Sequence, residues 1–151
     1  MRTSLAQAIA SAPELAPATE GDQASEPADV DYAAFRQRCV TLQRSMQAAT
    51  GRLRGRLRDR LAERSAELAR LADVDAVMEL ALSPREQTLL ASVPNLLGAH
   101  FERLRQDAMS TDDTAATWLN LFRKDMQSVL LAELDVRFQP VEGLLASLRA
   151  R

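Results

Sequence analysis

Gly51-Arg52-Leu53-Arg54-Gly55-Arg56-Leu57-Arg58-Asp59-Arg60-Leu61-Ala62-Glu63-Arg64 decides the fold class. Leu53, Leu57 and Leu61 recur every four residues and share one sector of a helical wheel. Arg52, Arg56 and Arg60 border that sector on one side, and Arg54 and Arg58 on the other. Arginine stems can cover such a stripe while their heads stay wet. The segment does not suit a strand, because it has no β-branched residue.

Upstream, Phe35, Cys39, Leu42, Met46, Ala49 and Leu53 alternate steps of four and three, the rhythm of a helix packing along a neighbour. Downstream, the stripe resumes at Leu68, Leu71, Val74 or Asp75, Met78 and Leu82. A carboxylate at Asp29 or Asp31 can cap the start. Residues 31–82 therefore read as one long helix with a bend, or as two helices broken near Gly51 or Ser65.

Ser83-Pro84-Arg85-Glu86 reads as a capping box with proline at the first helical position, opening a helix that ends near Asp107 or Ala108. Pro94 kinks that helix or lets Ser92 restart it. Ser110-Thr111-Asp112-Asp113-Thr114 reads as a polar loop. Trp118, Leu119, Phe122, Met126, Val129, Leu130, Leu134 and Phe138 then give one broad apolar face. Gln139-Pro140 interrupts it, and Pro140 opens a short last helix with Val141, Leu144, Leu145 and Leu148 inward. Pro13, Pro17, Gly21 and Pro27 sit among small and acidic residues, a linker composition. Residues 1–10 suit a short helix with nothing to anchor it. The expected organisation is a flexible Pro/Ala-rich segment over 1–30 and a helical domain over 31–151. The fold class is all-α: an antiparallel helical bundle with one long N-terminal helix, whole or broken, and three to four shorter ones.

Charge is unevenly spread. Residues 1–35 carry one arginine and six acids, residues 36–70 ten arginines and three acids, and residues 71–151 eight bases and twelve acids. The simplest account is internal, with the basic stretch lying against acidic helices of the same fold or of a copy. The sharper account is an anionic partner held by Arg52, Arg54, Arg56, Arg58, Arg60 and Arg64. On that account, charge reversal at Arg54, Arg56 and Arg58 abolishes partner capture and leaves folding unchanged. Nucleic acid is the less favoured partner, since no Phe, Tyr or Trp lies between residues 36 and 100 to stack on bases. No apolar run is long enough to span a membrane, so membrane insertion is not expected.

Chemistry-bearing residues are sparse. His100 is the only histidine and Cys39 the only cysteine, so the chain has no zinc set, no internal disulfide and no Glu-x-x-His pair for bridged iron. There is no phosphate-binding glycine loop. No cofactor, no catalytic residue and no small-molecule substrate is indicated, and the chain is not expected to be an enzyme. Cys39 reads as a small core residue in a reducing, cytoplasmic setting. His100 reads as a polar position beside Phe101 on a helix border; a ligand site there would need a closed pocket with polar groups converging on it. Leu130, Leu131 and Leu134 make an apolar face wider than one neighbour needs. It is either central in its own bundle or bound to a partner helix or a second copy. Glu133 and Arg137 are spaced for an i,i+4 ion pair.

The run from Tyr32 to Leu148 also resembles a proteobacterial family, domain of unknown function 3348. The matching stretches are Arg36 to Met46, Leu68 to Glu79, Leu89 to Pro94, His100 to Leu104 and Phe122 to Leu145. The block from Leu130-Leu131-Ala132-Glu133-Leu134 to Pro140-Val141-Glu142-Gly143-Leu144 is the most specific. The family usually carries a longer helical N-terminal region than residues 1–30 here. The resemblance implies no assigned activity. It does imply a cytoplasmic accessory role beside membrane proteins that resemble ion-driven stator or outer-membrane-anchored components. The expected function is thus a non-catalytic helical interaction or adaptor protein, accessory to a membrane-associated complex or self-assembling. The alternative is a nucleic-acid-binding helical module using Arg52 to Arg64.

Overall fold

The computed structural model describes residues 1–16, 30–111 and 115–150. They form five α-helices and no strand: α1 (Arg2–Ala10), α2 (Tyr32–Ala62), α3 (Ala66–Leu90), α4 (Val93–Thr111) and α5 (Ala115–Arg149), with a single 3-10 turn at Pro13–Leu15. The chain is all-α, as its periodicity predicts. Asp29, the linker over 17–29 and the Asp112-Asp113-Thr114 stretch lie outside the described residues.

The arginine segment is helical from Gly51 to Ala62, the last part of α2, and Glu63 and Arg64 make the turn that follows. Asp31 starts that helix, its Oδ1 accepting from the Ala33 N–H at 3.0 Å. The break expected near Gly51 or Ser65 falls at Ser65, whose Oγ accepts from the Leu68 N–H at 3.2 Å and opens α3. Gly51 and Gly55 stay within α2. Their cost of about 1 kcal/mol each is not enough to end a helix whose leucines are buried on both sides of them.

Two expected starts are wrong. Ser83-Pro84 does not open a helix, because α3 runs through it to Leu90. Pro140 does not open one either, because α5 runs through it to Arg149. A proline inside a helix deprives the carbonyl four residues back of its donor. Those carbonyls belong to Leu80 and Val136, both at exposed positions where water can replace the lost bond. The packed face of α5 also keeps its step across Pro140. In α5, Leu134, Phe138, Val141 and Leu144 are all buried. Pro94 takes the second position of α4, as a restart at Ser92 requires, and α4 ends at Thr111 rather than near Asp107.

The core is continuous across the elements. Phe35, Cys39, Leu42, Met46, Leu57 and Leu61 of α2 meet Leu97, Phe101 and Ala108 of α4 and the long inner face of α5. Phe35, Phe101, Phe122 and Trp118 are stacked edge-on or tilted, with ring centroids 5.0–5.9 Å apart. Tyr32 joins them from the start of α2 and donates its hydroxyl to the Pro94 carbonyl. Its ring lies so close over α4 that a Cβ on Gly98 would come within 2.9 Å of it, so only glycine fits there.

Residues 1–16 are anchored, contrary to the flexible segment expected over 1–30. Ile9, Ala12 and Leu15 are buried in the shared core. Arg2 pairs with Asp135 at 2.7 Å and with Glu142, and Arg38 holds Glu14 at 2.7 Å. The anchor escapes a reading of the sequence because the steps from Leu5 to Ile9, Ala12 and Leu15 span too short a stretch, ahead of a proline-rich run, to mark a packed face.

Candidate interaction surface

The six arginines part company in the structure. Arg54 and Arg58 turn toward α3. Arg54 grips Asp75 with two nitrogens, at 2.7 and 2.8 Å, and Arg58 bridges Asp75 and Glu79. Burial pushes the Asp75 carboxyl up, but the hydrogen bonds and charges of Arg54 and Arg58 together more than reverse this and hold it below its ordinary value. Arg64 donates to the Leu148 carbonyl near the end of α5, and Arg60 faces Glu63 at 3.5 Å. Arg52 and Arg56 are exposed and meet no carboxylate among the described residues. The internal account therefore holds for Arg54 and Arg58. Reversing their charge would break a contact inside the chain, so the proposed triple reversal at Arg54, Arg56 and Arg58 cannot test docking alone.

These pairings turn α3 inside out. Asp75 and Glu79 are one helical turn apart and face α2 together with Ala72, the only buried residue of the 25-residue helix. Of the row expected to face inward, Leu68 and Asp75 do, and the rest of it (Leu71, Val74, Met78 and Leu82) faces out. With Val77, Leu80 and Leu89 it leaves seven large apolar side chains 38–81% exposed. Leu71, Val74, Met78 and Leu82 form one wall of a groove of about 440 Å³, whose other wall is Pro140, Gly143, Leu144 and Ser147 of α5. This surface is the one sequence reasoning missed. Its signal was the undecided inward position, Val74 or Asp75: two carboxylates four residues apart opposite Arg54 and Arg58 settle which side is inner.

Leu130 and Leu134 are fully buried, so they belong to the core of the chain. Leu131, of the same proposed set, is partly exposed. The Glu133–Arg137 pair forms at 2.8 Å and is nearly sealed, with side chains 2% and 7% exposed. Gln43 completes it, donating to Glu133 at 2.8 Å and to the Leu90 carbonyl at 3.0 Å. Arg137 also reaches Glu86 at 3.5 Å beside a polar cleft between α2, α3 and α5. This polar contact ties the second half of α3 to the core.

His100 is half-buried. Its Nε2 lies 2.8 Å from Asp125 and its Nδ1 2.9 Å from Arg103. The arginine can only donate, so the ring accepts at Nδ1 and donates from Nε2 to the carboxylate. The hollow beside it is open and lined chiefly by Val93, Leu96, Leu97 and Val129, which makes it an apolar surface rather than a closed polar pocket. Cys39 is fully enclosed, and burial, with Glu133 adding to it, pushes its thiol up to about 12. Among the described residues no helix is long and apolar enough to cross a membrane.

No curated protein matches the chain, and no solved structure does. One family model matches, described as "Protein of unknown function (DUF3348)". It extends over residues 1–150, taking in the anchored N-terminal segment as well as the run from Tyr32 onward. The chain therefore belongs to the DUF3348 family.

Proposed function

We propose that the protein is a non-catalytic helical interaction protein that holds a protein partner, a different chain or a copy of its own, on the outward face of α3. One observation carries the reading: a helix whose inner side is small and charged and whose outer side is leucine, valine and methionine. An apolar face of this length costs solubility unless something covers it. Helix-in-groove recognition uses this pattern of anchors three and four residues apart. The reading places the protein in the cytoplasm, where Cys39 stays a thiol, and suits an accessory to a membrane-associated complex.

The test compares cell proteins captured by the tagged wild type, by Leu82→Glu and by Leu80→Glu. Capture lost with the first variant and kept with the second supports the adaptor reading, provided circular dichroism is the same for all three. Identical capture overturns it. Nucleic acid is tested separately by fluorescence anisotropy with duplex and single-stranded probes over a salt series. Binding that weakens steeply with salt and disappears on charge reversal at Arg52, Arg56 and Arg60 would replace the adaptor with the nucleic-acid module.

A further inference from the structure

We infer that the occupant of the α3 face is a second copy of this chain, the two α3 helices packing against each other about a two-fold axis. The inference rests on the docking reading above and adds the partner.

The size of the face is the first argument. A large aliphatic side chain presents roughly 100 Å² when fully exposed. Leu71, Val74, Val77, Met78, Leu82 and Leu89 are 38–67% exposed. Together they offer on the order of 300–400 Å², at the level of the largest apolar patch on an ordinary monomer. Pro140 and Gly143 of the facing groove wall extend it. A standard interface takes about 800 Å² from each partner, of which about 60% is apolar. The α3 face alone supplies most of that apolar share.

Charge is the second argument. The acids that border the row are already engaged within the chain: Asp75 and Glu79 by Arg54 and Arg58, and Glu86 by Arg137. On the outer side, Glu67 and Asp73 are balanced by Arg70 and Arg85. A surface recognising a different protein ordinarily carries a charge bias that the partner complements. Here the face is apolar and balanced, so it neither repels its own image nor selects an oppositely charged one. Such a surface is self-complementary, which two-fold pairing demands.

Geometry gives the third argument and the test. The row runs along α3 from Leu71 to Leu89, about 27 Å at 1.5 Å per residue. Met78 is the midpoint of Ala66–Leu90. In pairing over the full helix, Met78 meets its own copy whichever way the two helices run.

Sedimentation and light scattering of the full chain should show a dimer that Met78→Glu and Leu82→Glu each reduce to monomer with unchanged helical content. Leu80→Glu places the same charge on the same helix but off the groove-lining row, and should remain dimeric. Oxidised Met78→Cys should give a covalent dimer, since the native Cys39 is fully buried and silent. A wild type that is monomeric at every concentration overturns the inference, as does a dimer that survives both glutamate variants. The two proposals fail separately. A monomer that still loses its captured protein with Leu82→Glu removes the second copy and leaves the adaptor standing, whereas unchanged capture and unchanged mass remove both.

Discussion

Helices α3 and α5 have similar helix-forming composition and a proline inside each, yet they solve opposite problems. α5 puts Leu119, Phe122, Met126, Leu130, Leu134 and Phe138 into the core and, apart from the Glu133–Arg137 pair, leaves most of its charges outside. α3 puts carboxylates inside and its apolar residues outside. What separates them is what waits on the other side. Facing α5 are Phe35, Cys39, Leu42 and Met46 of α2; facing α3 are Arg54 and Arg58. A helix turns toward whatever its neighbour leaves unsatisfied. Two guanidiniums at the edge of a core outbid a leucine row, because an unpaired charge there costs more than exposed aliphatic surface.

The contrast predicts where the chain is held. Its most sensitive point is the sealed ion pair of α5. Glu133→Ala leaves the Arg137 guanidinium buried with only the weak contact to Glu86, and should cost about 3–5 kcal/mol by urea denaturation. Replacing both partners by apolar residues, Glu133→Leu with Arg137→Met, should restore much of this, since it removes the stranded charge. A single variant as stable as the wild type would show that the pair is not sealed. Next comes Leu134, 1% exposed in α5: Leu134→Ala should cost about 2–5 kcal/mol.

The grip on α3 ranks third. Asp75→Asn should cost about 1.5–3 kcal/mol, and hydrogen exchange should quicken in α3 while α5 stays protected. Acid should do the same in the unmodified chain. The folded Asp75 carboxyl is held below its ordinary value, so its contribution is complete above the unfolded value, about 3.9. It is lost as pH falls through the lower folded one. Uniform loss of protection in both helices would show that α3 is not separately attached.

Much of the fold is legible in the sequence. The rows Phe35 to Leu61 and Trp118 to Leu134 carry their own period, and Asp31 and Ser65 are caps with the right neighbours. The failures share a cause. Ser83-Pro84 and Pro140 are strong local stop signals, yet both helices run through them, because the positions that lose a donor are exposed and, in α5, the packed face continues across the proline. The inner side of α3 escapes the pattern because an apolar row is ordinarily the buried one. Only the partner helix shows that Arg54 and Arg58 claim that side. Of the partner-binding residues the sequence suggests, Leu130 and Leu134 serve the core and Arg54 and Arg58 serve α3. The α3 face, whose period predicts core, lies outside.

The smallest effect is the sharpest test of the contrast. Leu80 and Leu134 are the same residue in the interior of two helices of one chain, 81% and 1% exposed. Truncation to alanine removes the same atoms from each. At Leu134 those atoms leave a cavity; at Leu80 they were already in water, and alanine has the better helix propensity. Leu80→Ala should therefore shift stability by no more than about 0.5 kcal/mol in either direction. It should also leave the mass in solution unchanged, because Leu80 lies off the row that lines the groove. A loss at Leu80 approaching that at Leu134 would mean that α3 is buried on this side too, by a neighbour that reaches beyond the Leu71–Leu82 row.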